Sequence, residues 1–278
     1  MSTPLSLDPD RAGRPRRRLP GARVLSDGSL LYWWREVLYV MVVNFVYEAI
    51  RNSNEGGRTA AYENAVRIMD WQELLFINHE EAIQEAVLEA RWLIIASNYF
   101  YGSAYILVTI FVLVFLYRRF ADAYPLWRNT LAATTLLGLF GFRFFPLMPP
   151  RLLDVEGPGV VYGFVDTLKT YPTFWSFESD TMEAISNQYA AMPSLHCAWA
   201  LWGAFALWPH VRSWWARVLV VAYPVATVAV VVVTGNHYLL DAVGGAVIVA
   251  GGYGIARWRT RAGRGAPLAL DAVPARDA

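Results

Sequence analysis

Two stretches of the chain set an imidazole among groups suited to phosphoryl chemistry. His237 stands four residues before Asp241 in Thr234-Gly235-Asn236-His237-Tyr238-Leu239-Leu240-Asp241, a step that places ring and carboxylate on one helix face. A carboxylate there can hold the ring and stabilise its charge. His196 stands in Ala191-Met192-Pro193-Ser194-Leu195-His196, where Pro193 suits a helix's first turn because its missing N–H costs nothing there. Arg143 and Arg151 close a third stretch, Gly141-Phe142-Arg143-Phe144-Phe145-Pro146-Leu147-Met148-Pro149-Pro150-Arg151. Guanidinium forks, two imidazoles and a carboxylate suit a phosphate ester: forks for the non-bridging oxygens, a nucleophile and a proton donor. No side-chain nucleophile stronger than imidazole lies on these segments.

Such a site needs a scaffold, and the composition restricts what kind. Of 278 residues, 56% are hydrophobic, 15% aromatic and 17% charged, against roughly 25% charged in an ordinary soluble domain. A soluble single domain is a poor fit. Twenty-four basic residues balance twenty-three acidic ones, so no global field attracts nucleic acid. The single cysteine, Cys197, cannot form an intrachain disulfide, and no Cys/His spacing of a zinc finger occurs.

Crossing about 30 Å of hydrocarbon takes roughly 20 apolar residues. Six runs approach that length: Leu30 to Ile50, Trp92 to Tyr117, Leu126 to Phe145, Pro193 to Pro209, Trp214 to Thr234 and His237 to Trp258. They predict an all-α polytopic membrane protein with six transmembrane helices. Arg35 and Glu36 lie one turn inside the first run, where long side chains can snorkel to the headgroups. Basic residues stay on the cytoplasmic side. They occupy the N-terminal segment (Arg11 to Arg23), the second-to-third connection (Arg118, Arg119, Arg128), the fourth-to-fifth (Arg212, Arg217) and the segment after the sixth run (Arg257 to Arg264). Both termini are therefore expected in the cytoplasm, with His196 and His237 at the extracytoplasmic face. Lys169 is the one lysine amid heavy Ala, Val, Gly and Arg usage, which points to a bacterial cytoplasmic membrane. No cleavable signal peptide is expected, because a long polar, arginine-rich segment precedes the first run.

Residues 29–260 are expected to form one membrane catalytic domain, between a disordered basic tail at 1–28 and a second disordered tail at 261–278. The stretch 58–90 mixes apolar residues and charge at near-helical spacing. It predicts amphipathic extracytoplasmic helices that lie on the outer surface or cap the bundle. Within it, His79-Glu80-Glu81 lacks a second histidine at metalloprotease spacing, so no metal is assigned there. An outer loop covers about 146–192; its Trp175, Phe177, Asp180 and Glu183 either select an acceptor or pack. Small residues at Ala200 and Gly203 in the fourth run, and at Gly244, Gly245 and Gly252 in the sixth, predict that these two helices approach closely and so bring the histidines together. His210, at the far end of the fourth run, reads as an interfacial residue.

Two other readings use the same residues. His196, His237 and Asp241 make a two-His, one-carboxylate set of metal ligands. Alternatively, the polar cluster recognises a headgroup without turnover, in a lipid-binding or transport protein. Transporter charges usually sit near the midplane between broken helices, whereas these sit at one surface and no internal repeat is visible.

Pro193-Ser194-Leu195-His196 and His237-Tyr238-Leu239-Leu240-Asp241 resemble the second and third motifs of the type 2 phosphatidic acid phosphatase superfamily. Phe145-Pro146 to Pro149-Pro150, Met192 to His196 and His237 to Gly245 are similar to its branch containing fungal inositol phosphorylceramide synthase, with sphingomyelin synthases as more distant relatives. The similarity covers about residues 139–250. The chain departs from the phosphatase pattern at Phe144, where that pattern has lysine, at Leu152, where it has proline, and at Val230 and Val231, where it has Ser-Arg. The synthase-like branch departs at the same points. The resemblance implies a metal-independent enzyme without a cofactor, in which His237 is the nucleophile and forms a phosphohistidine. It further implies that Asp241 orients and charges the His237 ring, while His196 protonates the leaving alkoxide and then deprotonates the acceptor alcohol or water. Arg151, Arg143 and Ser194, with N–H groups at the start of the fourth span, are implied to hold the phosphoryl oxygens. The implied partners are the membrane and a lipid phosphate or phospholipid substrate, with head-group transfer favoured over hydrolysis and the oligomeric state left open.

Overall fold

A computed structural model describes residues 22–52, 57–171, 173 and 188–264. Trp175, Phe177, Asp180 and Glu183 lie outside the described residues, as do 1–21 and 265–278 of the two expected tails.

The chain is mostly helical. A short antiparallel hairpin, β1 (Ala22–Val24) and β2 (Leu30–Tyr32), leads into α1 (Trp33–Asn52). It is followed by α2 (Arg58–Leu74), α3 (Glu80–Leu88), α4 (Arg91–Arg119) and α5 (Tyr124–Phe144). A 3-10 turn at Pro150–Leu152 runs into the one-turn α6 (Leu153–Glu156), and α7 (Thr167–Thr170) is equally short. The last three are α8 (Leu195–Leu207), α9 (Trp214–Val233) and α10 (Leu239–Arg264).

Each of the six apolar runs overlaps one of these helices, and the differences have local causes. The hairpin amends the all-α expectation and the unstructured tail expected to residue 28. Asp27-Gly28 makes its turn, with Gly28 at φ +80°, a conformation glycine adopts without a Cβ penalty. Leu31 is buried in the bundle core and its carbonyl accepts from the Tyr117 hydroxyl at 3.2 Å, which gives the segment a reason to fold. α8 has 13 residues, about 20 Å at 1.5 Å per residue, and is shorter than the apolar run it came from. Ser194 caps its start, accepting from Cys197 N–H at 3.3 Å, and the Trp208-Pro209-His210 turn ends it. Glu36 in α1 does not reach for the headgroups: it forms an ion pair with Arg128 of α5.

Among the described residues, three helices are long and apolar enough to cross a membrane: Arg91–Arg119, Trp214–Val233 and Leu239–Arg261 of α10. Their outward side chains are apolar and exposed, including Leu107, Phe111, Leu219, Val225, Val243 and Val247, which is what lipid tails would cover. At the end of the bundle away from His196 and His237, Trp33, Trp34, Trp208, Trp214, Trp215 and Trp258 are exposed. Such rings favour the headgroup level. His210 stacks on Phe120 at the same end, 3.8 Å between ring centroids.

The interior has two cores. The bundle core centres on Trp202, fully buried, whose indole N–H donates to the Trp127 carbonyl at 2.8 Å. The second core lies beneath α2 and α3 and gathers Ala61, Ala65, Ile68, Leu152, Leu153 and Tyr238. The 58–90 stretch therefore caps the bundle rather than lying along a surface. The small residues divide between neighbours. A Cβ on Gly245 would meet the Ser194 carbonyl at 2.7 Å and the Ala198 nitrogen at 3.2 Å, so α8 and α10 do touch backbone to backbone there. Gly252 packs instead on α5, where a Cβ would meet the Thr134 nitrogen at 2.8 Å, and Gly203 faces Val112 of α4.

That close approach sets a test of the packing. Gly245→Val puts its branched side chain against backbone that cannot rotate away, so Tm falls by several degrees, corresponding to about 1–3 kcal/mol of overpacking. Gly254 lies on the same helix with no atom within 4 Å of its notional Cβ. Gly254→Ala raises Tm or leaves it unchanged, because alanine is the better helix former. Thermal unfolding of the two purified variants checks both; equal effects would place the α8–α10 contact elsewhere.

Candidate active site

The boundary between the two cores is where the sequence motifs meet. The turn after α9 carries Gly235, Asn236 and His237, with the N–H groups of Asn236 and His237 both donating to the Val231 carbonyl at 3.0 and 3.2 Å. Gly235 has φ +66° and is crowded: a Cβ would stand 2.9 Å from Gln84 Nε2 and 3.2 Å from Arg151 Cβ. Position 235 therefore demands glycine on both counts. The turn delivers His237 to the start of α10 with 4% of its surface exposed.

Behind the ring, His237 Nδ1 lies 3.2 Å from Asp241 Oδ2, and Asp241 is completely buried. The same oxygen accepts the Tyr238 N–H at 2.9 Å. Asp241 thus serves as the third-residue half of a capping box as well as the ring's partner. Its backbone carbonyl accepts the Ser194 N–H at 3.0 Å, tying the start of α8 to the start of α10.

His196 faces this pair across the α8–α10 contact, 5.8 Å from the His237 ring centroid to centroid. Two tyrosines of α4 fix its orientation. Tyr101 stacks on it at 4.2 Å with planes 23° apart, and Tyr105 meets it edge-on at 4.6 Å. A cleft of about 180 Å³, including its open mouth, adjoins His196 between α4 and α9.

Arg151 enters from the 3-10 turn. Its backbone N–H donates to the Gly235 carbonyl at 2.8 Å, its Nε to Asn236 Oδ1 at 3.0 Å and its Nη1 to Asp166 Oδ2 at 3.0 Å. Asp166 is itself buried, and its other oxygen caps α7 through the Leu168 and Lys169 N–H groups. The guanidinium is thereby clamped on two edges beside the residue that precedes His237.

Of the six residues singled out, His196, His237, Asp241, Ser194 and Arg151 come together. Arg143 does not: it is exposed near the end of α5, its guanidinium 6.0 Å from the Phe144 ring centre. The helix runs through residue 144, so Arg143 keeps helical phase and turns outward. Arg151 lies beyond the helix, where the Pro149-Pro150 segment folds back. Asn236, Asp166, Tyr101, Tyr105, Glu80 and Gln72 are additional members of the site or its support. Asn236 adjoins the motif histidine, and Asp166 is the N-cap of α7; the others carried no local signal. Ser194 is fully buried, and its hydroxyl oxygen is the α8 cap.

Beside the cluster, burial and a 2.6 Å hydrogen bond to Glu156 Oε2 push the Tyr189 hydroxyl up to about 12, so it stays a neutral donor. Among the described residues, no group of three or more His, Cys, Asp or Glu side chains is arranged to hold a metal ion.

A buried His–Asp pair therefore faces a second histidine where the helical bundle meets the α2–α3 layer. The family model of the PAP2 superfamily matches residues 66–255, more than half of the chain. The protein belongs to the PAP2 superfamily. Comparison with curated proteins and with solved structures returned no match.

Proposed function

We propose that this protein is an integral-membrane lipid phosphotransferase or phosphatase that works through a phosphohistidine, with head-group transfer as the favoured outcome. The observation that carries the proposal is the His237–Asp241 contact of 3.2 Å facing the His196 ring at 5.8 Å. Superfamily membership supports the reaction class. With Nδ1 of His237 engaged by Asp241, Nε2 is the attacking nitrogen.

In the first step, Nε2 forms a bond to phosphorus as the ester P–O bond breaks, and the leaving alkoxide takes a proton from His196. In the second, His196 takes a proton from an acceptor alcohol or water, whose oxygen attacks phosphorus while the N–P bond breaks. Atoms and charges balance without a metal ion or cofactor, and positioning with charge stabilisation supplies the catalysis. Arg151 and the N-terminus of α8 at Ser194 hold the phosphoryl oxygens. Arg143, outside the cluster, has no part in the step.

The absence of lysine at Phe144 and of Ser-Arg at Val230 and Val231, shared with the synthase-like branch, is what favours transfer over hydrolysis. In the proposed setting all six apolar helices of residues 29–260 lie in a bacterial cytoplasmic membrane. Both termini are then inside and the histidines at the extracytoplasmic face. The test is incubation of the purified protein with labelled lipid phosphates and phosphodiesters, with and without candidate alcohols such as inositol. A new labelled lipid that forms only with the alcohol, in the presence of strong chelator, is the expected result. Free phosphate alone makes the protein a hydrolase. Activity lost to chelation and restored by metal overturns the metal-free mechanism, and binding without turnover across the panel sinks the enzymatic reading.

A further inference from the structure

An α-helix leaves its first N–H groups without intrahelical partners, and the usual remedy is a side chain immediately before the helix. The helix bearing Asp241 uses a different one. Leu239 N–H donates to Glu80 Oε1 at 2.8 Å and Leu240 N–H to Gln72 Oε1 at 2.9 Å, while Tyr238 N–H is met by Asp241 itself. Glu80 belongs to α3 and Gln72 to α2, 159 and 168 residues distant along the chain. Both are buried, at 1% and 0% exposure. Among the described residues, Glu80 Oε2 and Gln72 Nε2 have no hydrogen-bond partner, so each side chain is tied to the fold by the single N–H it accepts. Gln84, one turn of α3 beyond Glu80, clasps the Val233 carbonyl and both backbone groups of Val165, so α3 also holds the elements on either side.

We propose that Glu80 and Gln72 are positioning residues for the phosphoryl-transfer reaction: a cap supplied by the α2–α3 layer that sets where Asp241, and through it the His237 ring, stands. This rests on the reaction proposed above. Leu239, Leu240 and Asp241 are consecutive, so any fraying of that first turn moves the carboxylate whose Oδ2 is shared between Tyr238 N–H and His237 Nδ1. The phosphate meets His237, His196 and Arg151, none of which Glu80 or Gln72 touches in any hydrogen bond described. The effect of losing the cap therefore falls on kcat and leaves KM alone. A cap needs an acceptor oxygen and no charge, so an amide serves at position 80 and a carboxylate at position 72.

The experiment uses the full chain in lipid nanodiscs with phosphatidic acid as the probe. Glu80→Ala and Gln72→Met each lower kcat by about 30–100-fold, the scale of an ångström's misplacement of a catalytic group, with KM within twofold. Glu80→Gln and Gln72→Glu return to within about threefold of the parent. Independently of turnover, hydrogen exchange of the Leu239 and Leu240 amides accelerates in the two truncations while α8 and α9 keep their protection. A parent-like kcat in both truncations, a loss carried by KM, or Glu80→Gln as impaired as Glu80→Ala overturns the proposal. Failure of the parent protein to turn over any lipid phosphate would instead sink the reaction, and the exchange measurement then decides the cap by itself: unchanged amides reject it. Where Glu80→Ala is not recovered folded, Gln72→Met against Gln72→Glu makes the same comparison.

Discussion

Replacing His237 with alanine lowers kcat/KM for a lipid phosphate by at least about a thousandfold, the scale seen when a covalent nucleophile is removed. The variant also traps no acid-labile phosphate on the protein. The reason is geometric. His237 is the imidazole backed by a buried carboxylate at 3.2 Å, so it is the ring whose positive charge, developed on phosphorylation, has a partner. His196 has tyrosine rings at 4.2 and 4.6 Å instead, which suits a ring that must pass a proton on and return to neutrality. The two histidines therefore part company when the leaving group is changed. His196→Ala loses at least about a hundredfold on an alkyl phosphate, whose alkoxide needs a proton. With p-nitrophenyl phosphate, whose phenolate leaves unaided, the same variant still accumulates labelled phosphohistidine, because the second step lacks its base. His237→Ala accumulates none with either substrate. Label in His237→Ala, or parent-like turnover in either folded variant, would falsify the assignment of roles. Asp241→Asn, which keeps an acceptor for Tyr238 N–H but not the charge, falls between, at about a hundredfold loss.

The parts of this site that were legible in the sequence are those whose spacing is local. The four-residue step from His237 to Asp241 predicts contact, and the structure has the two side chains in contact, although His237 stands two residues before α10 and meets Asp241 across the capping turn rather than along a helix face. Runs of apolar residues mark where helices lie, with ends displaced by a few residues where a proline, a cap or a glycine turn intervenes. Arg143 and Arg151 show where local reading stops. Eight residues apart in one polar-interrupted segment, they look equivalent until the helix boundary after Phe144 is known. One then follows the helix outward, and the other follows the Pro149-Pro150 turn back into the cluster. Glu80 and Gln72 were illegible for a different reason: their partners lie 159 and 168 residues away, a separation on which periodicity is silent. A carboxylate and an amide on an amphipathic helix read as its solvated face. Only the docking of α2 and α3 over Tyr238, itself fully buried with its hydroxyl on the Met148 carbonyl at 3.1 Å, makes them interior.

Arg151→Lys is as damaging as Arg151→Met: each lowers kcat/KM by about 100–1,000-fold, the range for losing one donor to transition-state charge. A lysine keeps the positive charge, so an argument from charge alone predicts rescue. The surroundings of Arg151 predict otherwise. Its guanidinium spends Nε on Asn236 at 3.0 Å and Nη1 on Asp166 at 3.0 Å, and those two bonds fix the plane of the group, which under the proposed mechanism leaves Nη2 for the phosphoryl oxygen. An ammonium at the end of a flexible stem has no such plane. Drawn to Asp166, it would pair with that carboxylate and turn away from the substrate. Asp166→Asn then separates holding from charge balance. Its amide oxygen still accepts from Nη1, but the removed charge leaves Arg151 with more field for the phosphate. The single variant accordingly keeps turnover within about tenfold and binds orthovanadate, an analogue of the five-coordinate phosphorus, at least as tightly as the parent. Inhibition constants for vanadate across the parent, Arg151→Lys and Asp166→Asn check the argument. Parent-like inhibition of Arg151→Lys would mean that a point charge suffices, and that the clamp formed by Asn236 and Asp166 does not set the geometry of phosphate recognition.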